Sequence, residues 1–228
     1  NYPGALPQSG MELMEKFHSQ ALKFGAELIF GKVVGIEKKD DIFEVTVGHG
    51  EKYLARAIIA AFGKVPRQLG IPGEDKFMGR GVSTCATCDG PLYKNKVVAI
   101  VGGGNSAVEA ALELSAHAKK VYLIHRRKEF RADEVTVDKV RNSPKIELVL
   151  EQVPVEVKGD KFVNAIIVEQ VADKTRKELS VDGLFLEIGY MVDCSVVKSL
   201  VEINENNEII VDMVGRTNCP GIFAAGDA

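Results

Sequence analysis

The apolar run at residues 97–101, which passes directly into Gly102-Gly103-Gly104, constrains the fold of this 228-residue chain more than any other feature. A helix is predicted after the glycines, from about residue 106 to 118, and a second apolar strand at 121–125. A strand, a tight turn, a helix and a further strand in this order are the start of a βαβ unit. The sequence therefore predicts an α/β fold.

The glycine turn fits the pattern GxGxxA. Gly102 permits the tight turn, Gly104 lets the backbone approach a pyrophosphate, and the small Ala107 lets the helix pack against the strand. The helix start, with Asn105 and Ser106, offers free N–H groups and a positive dipole end to the phosphates. A turn that binds nothing is the alternative. Because the flanking strands and the helix are all in place, we predict a dinucleotide site in a Rossmann-like domain.

The second strand ends in His125-Arg126-Arg127, and Arg131 follows four residues after Arg127. An NAD site usually places an acidic residue here, against the ribose 2′-hydroxyl. Arginine forks can instead hold a 2′-phosphate, which a carboxylate would repel. A solvated basic loop is the alternative. With the glycine turn upstream, the cluster predicts NADPH as the dinucleotide.

Cys85 and Cys88 form a CxxC motif, and Asp89 follows directly. Two intervening residues bring the sulfurs close enough for a disulfide that exchanges readily. Half of a zinc site and two buried structural thiols are the alternatives, but the sequence has no second CxxC and no paired His at zinc spacing. Asp89 fits two roles equally, as the acid that supplies a proton in disulfide exchange or as a helix cap.

A chain with both an NADPH site and a redox disulfide implies a flavin between them, because a flavin accepts a hydride and also reacts with sulfur. No second GxGxxA lies upstream of the cysteines. The segment 217–228 ends in Gly226-Asp227, where a carboxylate can meet a ribityl or ribose hydroxyl. A core strand followed by a turn is the alternative for this segment.

Composition excludes several other classes of function. The formal charge of -3 gives no basic excess for nucleic acid. The longest apolar runs are far below the roughly 20 residues that span a bilayer, so no membrane segment is expected. Four cysteines are too few and too unevenly spaced for a secreted disulfide scaffold. We therefore expect a cytoplasmic location, and no metal ion.

The rest of the chain predicts further elements. An amphipathic helix is expected at 11–24 and a further helix around 196–200. The strand-like stretches are 27–37, 42–47, 52–61 and, less regularly, 146–188. Turn signals between residues 63 and 81 predict a connector between domains.

With these pieces in order, the chain resembles the low-molecular-weight thioredoxin reductases of bacteria and archaea along nearly its whole length. The motifs that carry the resemblance are NYPG at 1–4, IPGE at 71–74, CATCDG at 85–90, GGGNSA at 102–107, HRR at 125–127 with Arg131, and the terminal GIFAAGD. The resemblance implies a Rossmann-like NADPH domain with a three-layer ββα sandwich, inserted into a discontinuous FAD domain. Residues 1–67 and 196–228 would belong to the FAD domain, and 68–195 to the NADPH domain.

The same resemblance implies roles for single residues. Cys88 would face the flavin, Cys85 would exchange with thioredoxin, Asp89 would be the acid, and Asp227, after Gly226, would bind FAD. It also implies a homodimer and an NADPH domain that rotates between two half-reactions. The chain departs from the family at Phe62 and at residues 190–192, and it lacks the family's N-terminal FAD fingerprint and C-terminal helix.

The function predicted from the sequence is reduction of thioredoxin, or a thioredoxin-like protein, by NADPH through FAD and the Cys85/Cys88 pair. A related flavin reductase that serves a peroxidase or ferredoxin system is one alternative. A flavin-free NADPH-binding fragment or sensor is the other.

Overall fold

A computed structural model of the chain describes residues 2–4 and 9–228, so Asn1 of the NYPG motif lies outside the described residues. Its helices are α1 Gly10–Lys23, α2 Glu74–Phe77, α3 Ala86–Asp89, α4 Asn105–His117 and α5 Glu134–Arg141, and a 3-10 turn covers Gly90–Tyr93. Its strands are β1 Val33–Lys39, β2 Ile42–Val47, β3 Lys52–Ala55, β4 Ile58–Ala60, β5 Lys64–Pro66, β6 Val82–Ser83, β7 Val97–Gly102, β8 Lys120–His125, β9 Ile146–Leu150, β10 Gln152–Gly159, β11 Val163–Gln170, β12 Arg176–Ser180, β13 Gly183–Glu187, β14 Tyr190–Val192 and β15 Ile222–Ala224.

The chain divides into two compact units. The first combines the described residues up to Ala61 with Cys194–Asn204 and Glu208–Ala225. The second consists of Phe62–Asp193, Glu205–Asn207 and Gly226–Ala228. The chain therefore leaves the first unit after Ala61 and returns to it at Cys194.

The first unit begins with α1, whose start is fixed by a capping box. The Ser9 hydroxyl accepts the N–H of Glu12, and the Glu12 carboxylate accepts the N–H of Ser9 at 2.7 Å. The antiparallel meander β1-β2-β3 follows, and β4 pairs in parallel with β15. The predicted strand at 52–61 is thus two strands, because its second half turns away to a partner from the far end of the sequence.

The helix expected around residues 196–200 does not form, and these residues lie in turns. Isolated bonds of one helical turn do occur, from Lys198 N–H to Cys194 and from Val201 N–H to Val197. The adjacent β-branched residues Val196 and Val197 disfavour a helix, because their side chains lose χ1 freedom in a helix. This prediction was wrong.

The second unit is built on a five-stranded sheet in the order β6-β13-β7-β8-β9, in which every neighbouring pair is parallel. Helices α4 and α5 cover one face, and the three-stranded antiparallel sheet β10-β11-β12 covers the other. The predicted α/β fold, with its three-layer ββα sandwich, is confirmed.

Strand β7 shows why the sequence folds in this way. Val98 and Ile100 pack in the cluster under the helices, while Ala99 and Val101 pack in the cluster under the antiparallel sheet. Successive side chains of a strand point to opposite faces, so a strand covered on both sides must be apolar throughout. The layered fold therefore holds the end of β7, where the glycine turn begins, in a fixed position.

Candidate dinucleotide and redox sites

The glycines after β7 are required for different reasons. A Cβ on Gly102 would collide with the Glu187 carbonyl and with Ala107, and a Cβ on Gly103 would collide with the His125 ring. A Cβ on Gly104 would meet only the Arg131 carbonyl oxygen, at 4.0 Å. Packing leaves no room for a side chain at Gly102 or Gly103, whereas Gly104 borders open space.

Gly104 is also the N-cap of α4, and no side chain caps this helix end. The first turn of α4 carries no acidic residue. The first N–H groups of a helix have no acceptor within the helix, and together with the helix dipole they favour an anion. This end of α4 therefore has the chemistry that a phosphate needs.

The basic loop after β8 is tied back to the glycine turn. The Arg131 N–H donates to the Gly103 carbonyl at 2.7 Å, and the Asp133 N–H donates to Asn105 Oδ1 at 2.8 Å. The His125 ring is buried, stacks on Phe130 with ring centroids 5.3 Å apart, and has Nε2 3.2 Å from the Glu129 carbonyl oxygen. These contacts hold the arginines beside the turn.

A cleft of about 670 Å³ lies against the turn and the loop. It brings together the predicted residues Gly102, Gly104, Ser106, His125, Arg126, Arg127 and Arg131. Two predicted residues do not line it: Asn105 anchors the loop through its side chain, and Ala107 is fully buried beneath Gly102.

The cleft also contains residues that sequence reasoning missed, among them Arg67, Gln68, Gln152 and Glu187. They come from segments distant in sequence, and none belongs to a motif. The pairing of β13 with β7, which sets Glu187 opposite Gly102, is the kind of contact that periodicity cannot reveal.

The cleft is electropositive. Arg126, Arg127 and Arg131 are exposed, and within the described chain none of their guanidinium groups forms an ion pair or a hydrogen bond. The pKa of His125 lies below its usual value, first because of burial and also because of the charges on these arginines. Unpaired guanidinium groups beside an open helix N-terminus fit a phosphorylated dinucleotide.

Cys85 and Cys88 form a disulfide, with Cα atoms 5.3 Å apart. The motif follows the edge strand β6, and Cys85 is the N-cap of α3. The Ser83 hydroxyl accepts the Cys85 N–H at 3.1 Å, and Cys85 Sγ accepts the Cys88 N–H at 3.2 Å. Cys88 is exposed and Cys85 is half-buried, so the disulfide is accessible from solvent.

Two carboxylates contact the residues between the cysteines. The Thr87 hydroxyl donates to Glu113 Oε2 at 3.0 Å, and the Glu187 side chain lies near the Ala86 N–H, two residues beyond Phe185, which pairs with Ser83 of β6. The pKa of Glu187 lies above its usual value, first because of burial and then because of the charge on Glu113. Neither carboxylate was predicted from the sequence.

Asp89 lies at the end of α3, where its N–H donates to the Cys85 carbonyl at 3.2 Å. Its charge acts on Tyr93, whose pKa is raised first by burial and then by Asp89 and Asp182. Asp89 is half-buried beside the disulfide. Its role as the acid stays a prediction.

Gly226 and Asp227 follow β15, and the Ala225 N–H donates to the Ala60 carbonyl of β4 at 3.0 Å. Gly226 has φ 75°, in the left-handed region that favours glycine, and Asp227 is exposed. Neither residue lines the cleft. Both stay predicted FAD ligands.

Within residues 2–4 and 9–228, no group of three or more His, Cys, Asp or Glu side chains is placed to hold a metal ion. None of the helices in the same residues is long and apolar enough to cross a membrane.

Comparison with known proteins agrees with this geometry. The family model of the pyridine nucleotide-disulphide oxidoreductases matches residues 2–228. The thioredoxin reductase of Helicobacter pylori is 41% identical over 234 residues, covering 100% of this chain and 75% of that protein. The thioredoxin reductase of Treponema pallidum is 40% identical, covering 100% of this chain and 74% of that protein.

A solved structure shows the same similarity. The thioredoxin reductase of Lactococcus lactis superposes with a TM-score of 0.81 at 36% identity, over 100% of this chain and 75% of that one. A βαβ dinucleotide cleft and a redox disulfide on one sheet define a flavoprotein-type disulfide oxidoreductase. The chain belongs to the pyridine nucleotide-disulphide oxidoreductase family, and it spans about three quarters of its relatives' length.

Proposed function

We propose that this chain is a thioredoxin-disulfide reductase, which carries electrons from NADPH through FAD to the Cys85–Cys88 disulfide and on to thioredoxin. One observation carries the proposal. Strand β6 leads into the disulfide and β7 leads into the glycine turn, and only β13 separates these two strands in the sheet. The names of the relatives, thioredoxin reductase in each case, support the same substrate.

The residues of the cleft would bind NADPH. The open N-terminus of α4 at Gly104 and Ser106 would bind the pyrophosphate, and Arg126, Arg127 and Arg131 would hold the 2′-phosphate. Asn105 and His125 would position these phosphate-binding groups. The Asn105 side chain anchors the basic loop, and the His125 ring packs against Gly103. Ala107 allows the close approach of helix and strand.

The FAD site is assigned to Gly226 and Asp227. An exposed carboxylate just beyond the carboxyl end of a parallel strand suits a ribityl or ribose hydroxyl. When bound, FAD supplies the two-electron chemistry that links a hydride donor to a disulfide. Residues 1–67 and 196–228 are proposed as the FAD domain and 68–195 as the NADPH domain. The crossings between compact units after Ala61 and before Cys194 support these two boundaries, whereas Gly226–Ala228 group with the second unit.

In the proposed reaction the Cys85 thiolate attacks a sulfur of the oxidised thioredoxin disulfide and forms a mixed disulfide. Cys88 then attacks Cys85, which restores the Cys85–Cys88 disulfide and releases the second thioredoxin thiolate. Asp89 is the proposed acid that protonates the departing thiolate. Cys88 is the thiol proposed to face the flavin.

Two further features of the proposal concern the cellular setting. The few, unevenly spaced cysteines support a cytoplasmic location, because a reducing compartment keeps structural thiols unpaired. A homodimer is proposed from the family resemblance.

The proposed function is tested by the visible spectrum of the chain reconstituted with FAD. Anaerobic NADPH should bleach the flavin band, and oxidised thioredoxin should restore it. Cys85→Ser and Cys88→Ser should retain the NADPH-dependent bleaching and lose the restoration. A chain that binds NADPH but takes up no flavin would instead be the NADPH-binding module, and restoration that persists in both serine variants would exclude the disulfide from the reaction.

A further inference from the structure

The redox helix α3 is held by carboxylates at both residues between its cysteines. Glu113, on α4, accepts the Thr87 hydroxyl at 3.0 Å, and Glu187, the last residue of β13, lies near the Ala86 N–H because Phe185 of the same strand pairs with Ser83 of β6. Because Ala86 follows Cys85 and Thr87 precedes Cys88, each cysteine is one residue from a carboxylate contact. A neutral serine or amide could supply the same hydrogen bonds, so anchoring alone does not require two acids.

These carboxylates are close enough to affect each other. The charge on Glu113 acts on Glu187, and within the described chain neither forms an ion pair with a Lys or Arg. Strand β7 presents only the backbone of Gly102 to Glu187. Glu187 lines the same cleft as the cations Arg67, Arg126, Arg127 and Arg131. Asp89, half-buried beside the disulfide, is a further carboxylate near the cysteines.

We propose that Glu113 and Glu187 are positioning residues of the redox centre, which fix α3 and, by their negative charge, oppose formation of a thiolate at Cys85 and Cys88. The inference rests on the proposed redox role of the disulfide. Reduction by two electrons and one proton gives one thiol and one thiolate. A second proton then goes to the thiolate or to Glu187, on which the charge of Glu113 acts.

This linkage gives the thiols an unusual dependence on pH. As the pH rises, ionisation of Glu187, whose pKa lies above its usual value because of burial and the charge on Glu113, raises the pKa of the neighbouring thiols. The logarithm of the thiolate fraction therefore rises with pH by less than one unit per pH unit. Removal of one carboxylate charge should restore a slope of one and lower the thiol pKa.

The test compares the reduced, unmodified chain with Glu187→Gln and Glu113→Gln. Each glutamine keeps an oxygen that can accept the original hydrogen bond, so only the charge is lost. Glu178→Gln is the matched control, because it removes one exposed carboxylate from β12. The rate of iodoacetamide alkylation of Cys85 and Cys88 is measured from pH 5 to 9, with each cysteine resolved by peptide mass spectrometry.

We expect alkylation near neutral pH to be about tenfold faster in Glu187→Gln, which corresponds to a thiol pKa about one unit lower. Glu113→Gln should change the profile in the same direction, and Glu178→Gln should match the unmodified chain. Identical profiles in all four proteins would overturn the inference. Failure of the disulfide to undergo reversible reduction in the unmodified chain would instead count against the proposed function itself.

Discussion

The backbone N–H of Arg131 donates to the carbonyl of Gly103 at 2.7 Å, so the basic loop and the glycine turn form one structural unit. The Arg131 side chain is thereby placed at the same cleft as Arg126 and Arg127. Selectivity for a phosphorylated dinucleotide should depend on this arrangement.

Replacement of Arg126, Arg127 or Arg131 by Ala should weaken NADPH binding by about tenfold or more for each residue, because a charge-assisted hydrogen bond contributes about 1.5–3 kcal/mol. NADH lacks the 2′-phosphate, and its affinity should change little. Calorimetric titration with both dinucleotides measures the difference. Arg141→Ala, which removes an arginine paired with Asp138 in α5, is the control. Equal losses for NADPH and NADH would contradict the assignment of the 2′-phosphate site.

Substitutions at Gly103 and Gly104 should have opposite consequences. In Gly103→Ala the new Cβ collides with the His125 ring, so we expect a loss of about 1–3 kcal/mol in the free energy of unfolding. In Gly104→Ala the Cβ enters open space beside the cleft, so the loss of stability should stay within about 0.5 kcal/mol. NADPH affinity should nevertheless fall about tenfold, because the methyl group occupies the path of the pyrophosphate. Urea unfolding and calorimetry separate the effects, and normal NADPH binding by Gly104→Ala would exclude a close approach there.

Glu74→Gln should destabilise the second unit. Glu74 is only 2% exposed, and its carboxylate accepts the N–H groups of Leu69, Gly70 and Ile71 at 2.9, 2.7 and 3.4 Å. A glutamine would turn an NH₂ group toward at least one of these donors, at a cost of about 2 kcal/mol or more. Urea unfolding measures the loss, with the exposed neighbour Asp75→Asn as the control. A change of less than about 0.5 kcal/mol would show that water replaces these bonds easily.

The folded chain should lose stability as the pH falls below about 6.5, partly because of His125. Burial lowers the pKa of His125 in the folded state, so the unfolded chain takes up a proton first. Stability is therefore complete above the unfolded pKa and declines as the pH falls toward the folded pKa. His125→Gln should reduce this decline between pH 7 and 5 in urea titrations, whereas the exposed His49→Gln should not. An NMR titration that places the His125 pKa at or above the usual histidine value of about 6.5 would contradict the argument.

Sequence reasoning succeeded where the signal was local. The apolar residues of β7, the glycine turn and the start of α4 are adjacent in sequence, and their order alone specifies a βαβ unit. It failed at residues 196–200, where the spacing of apolar residues is typical of a helix but the residues form turns.

The same reasoning also missed Glu113 and Glu187. Glu113 is one of two acidic residues on α4, and only the packing of α3 against α4 brings it to Thr87. Glu187 reaches Ala86 because β13 lies between β6 and β7, a strand order that no local pattern encodes. Sites that are assembled by the pairing of strands distant in sequence are therefore the hardest part of such a protein to predict from its sequence.

The place of β13 in the sheet has a consequence for biosynthesis. Among the strands that the structure describes, β13 is the one that joins β6 to the sheet, and it lies far downstream in the sequence. While the chain emerges from the ribosome, β7, β8 and β9 can already pair with one another. Strand β6, which leads to the cysteines, can pair with β13 only after residue 187 has been synthesised. Cys85 and Cys88 are thus synthesised early, but the segment that holds them can pack against the sheet only later. A nascent chain halted before β13 would expose both thiols to solvent.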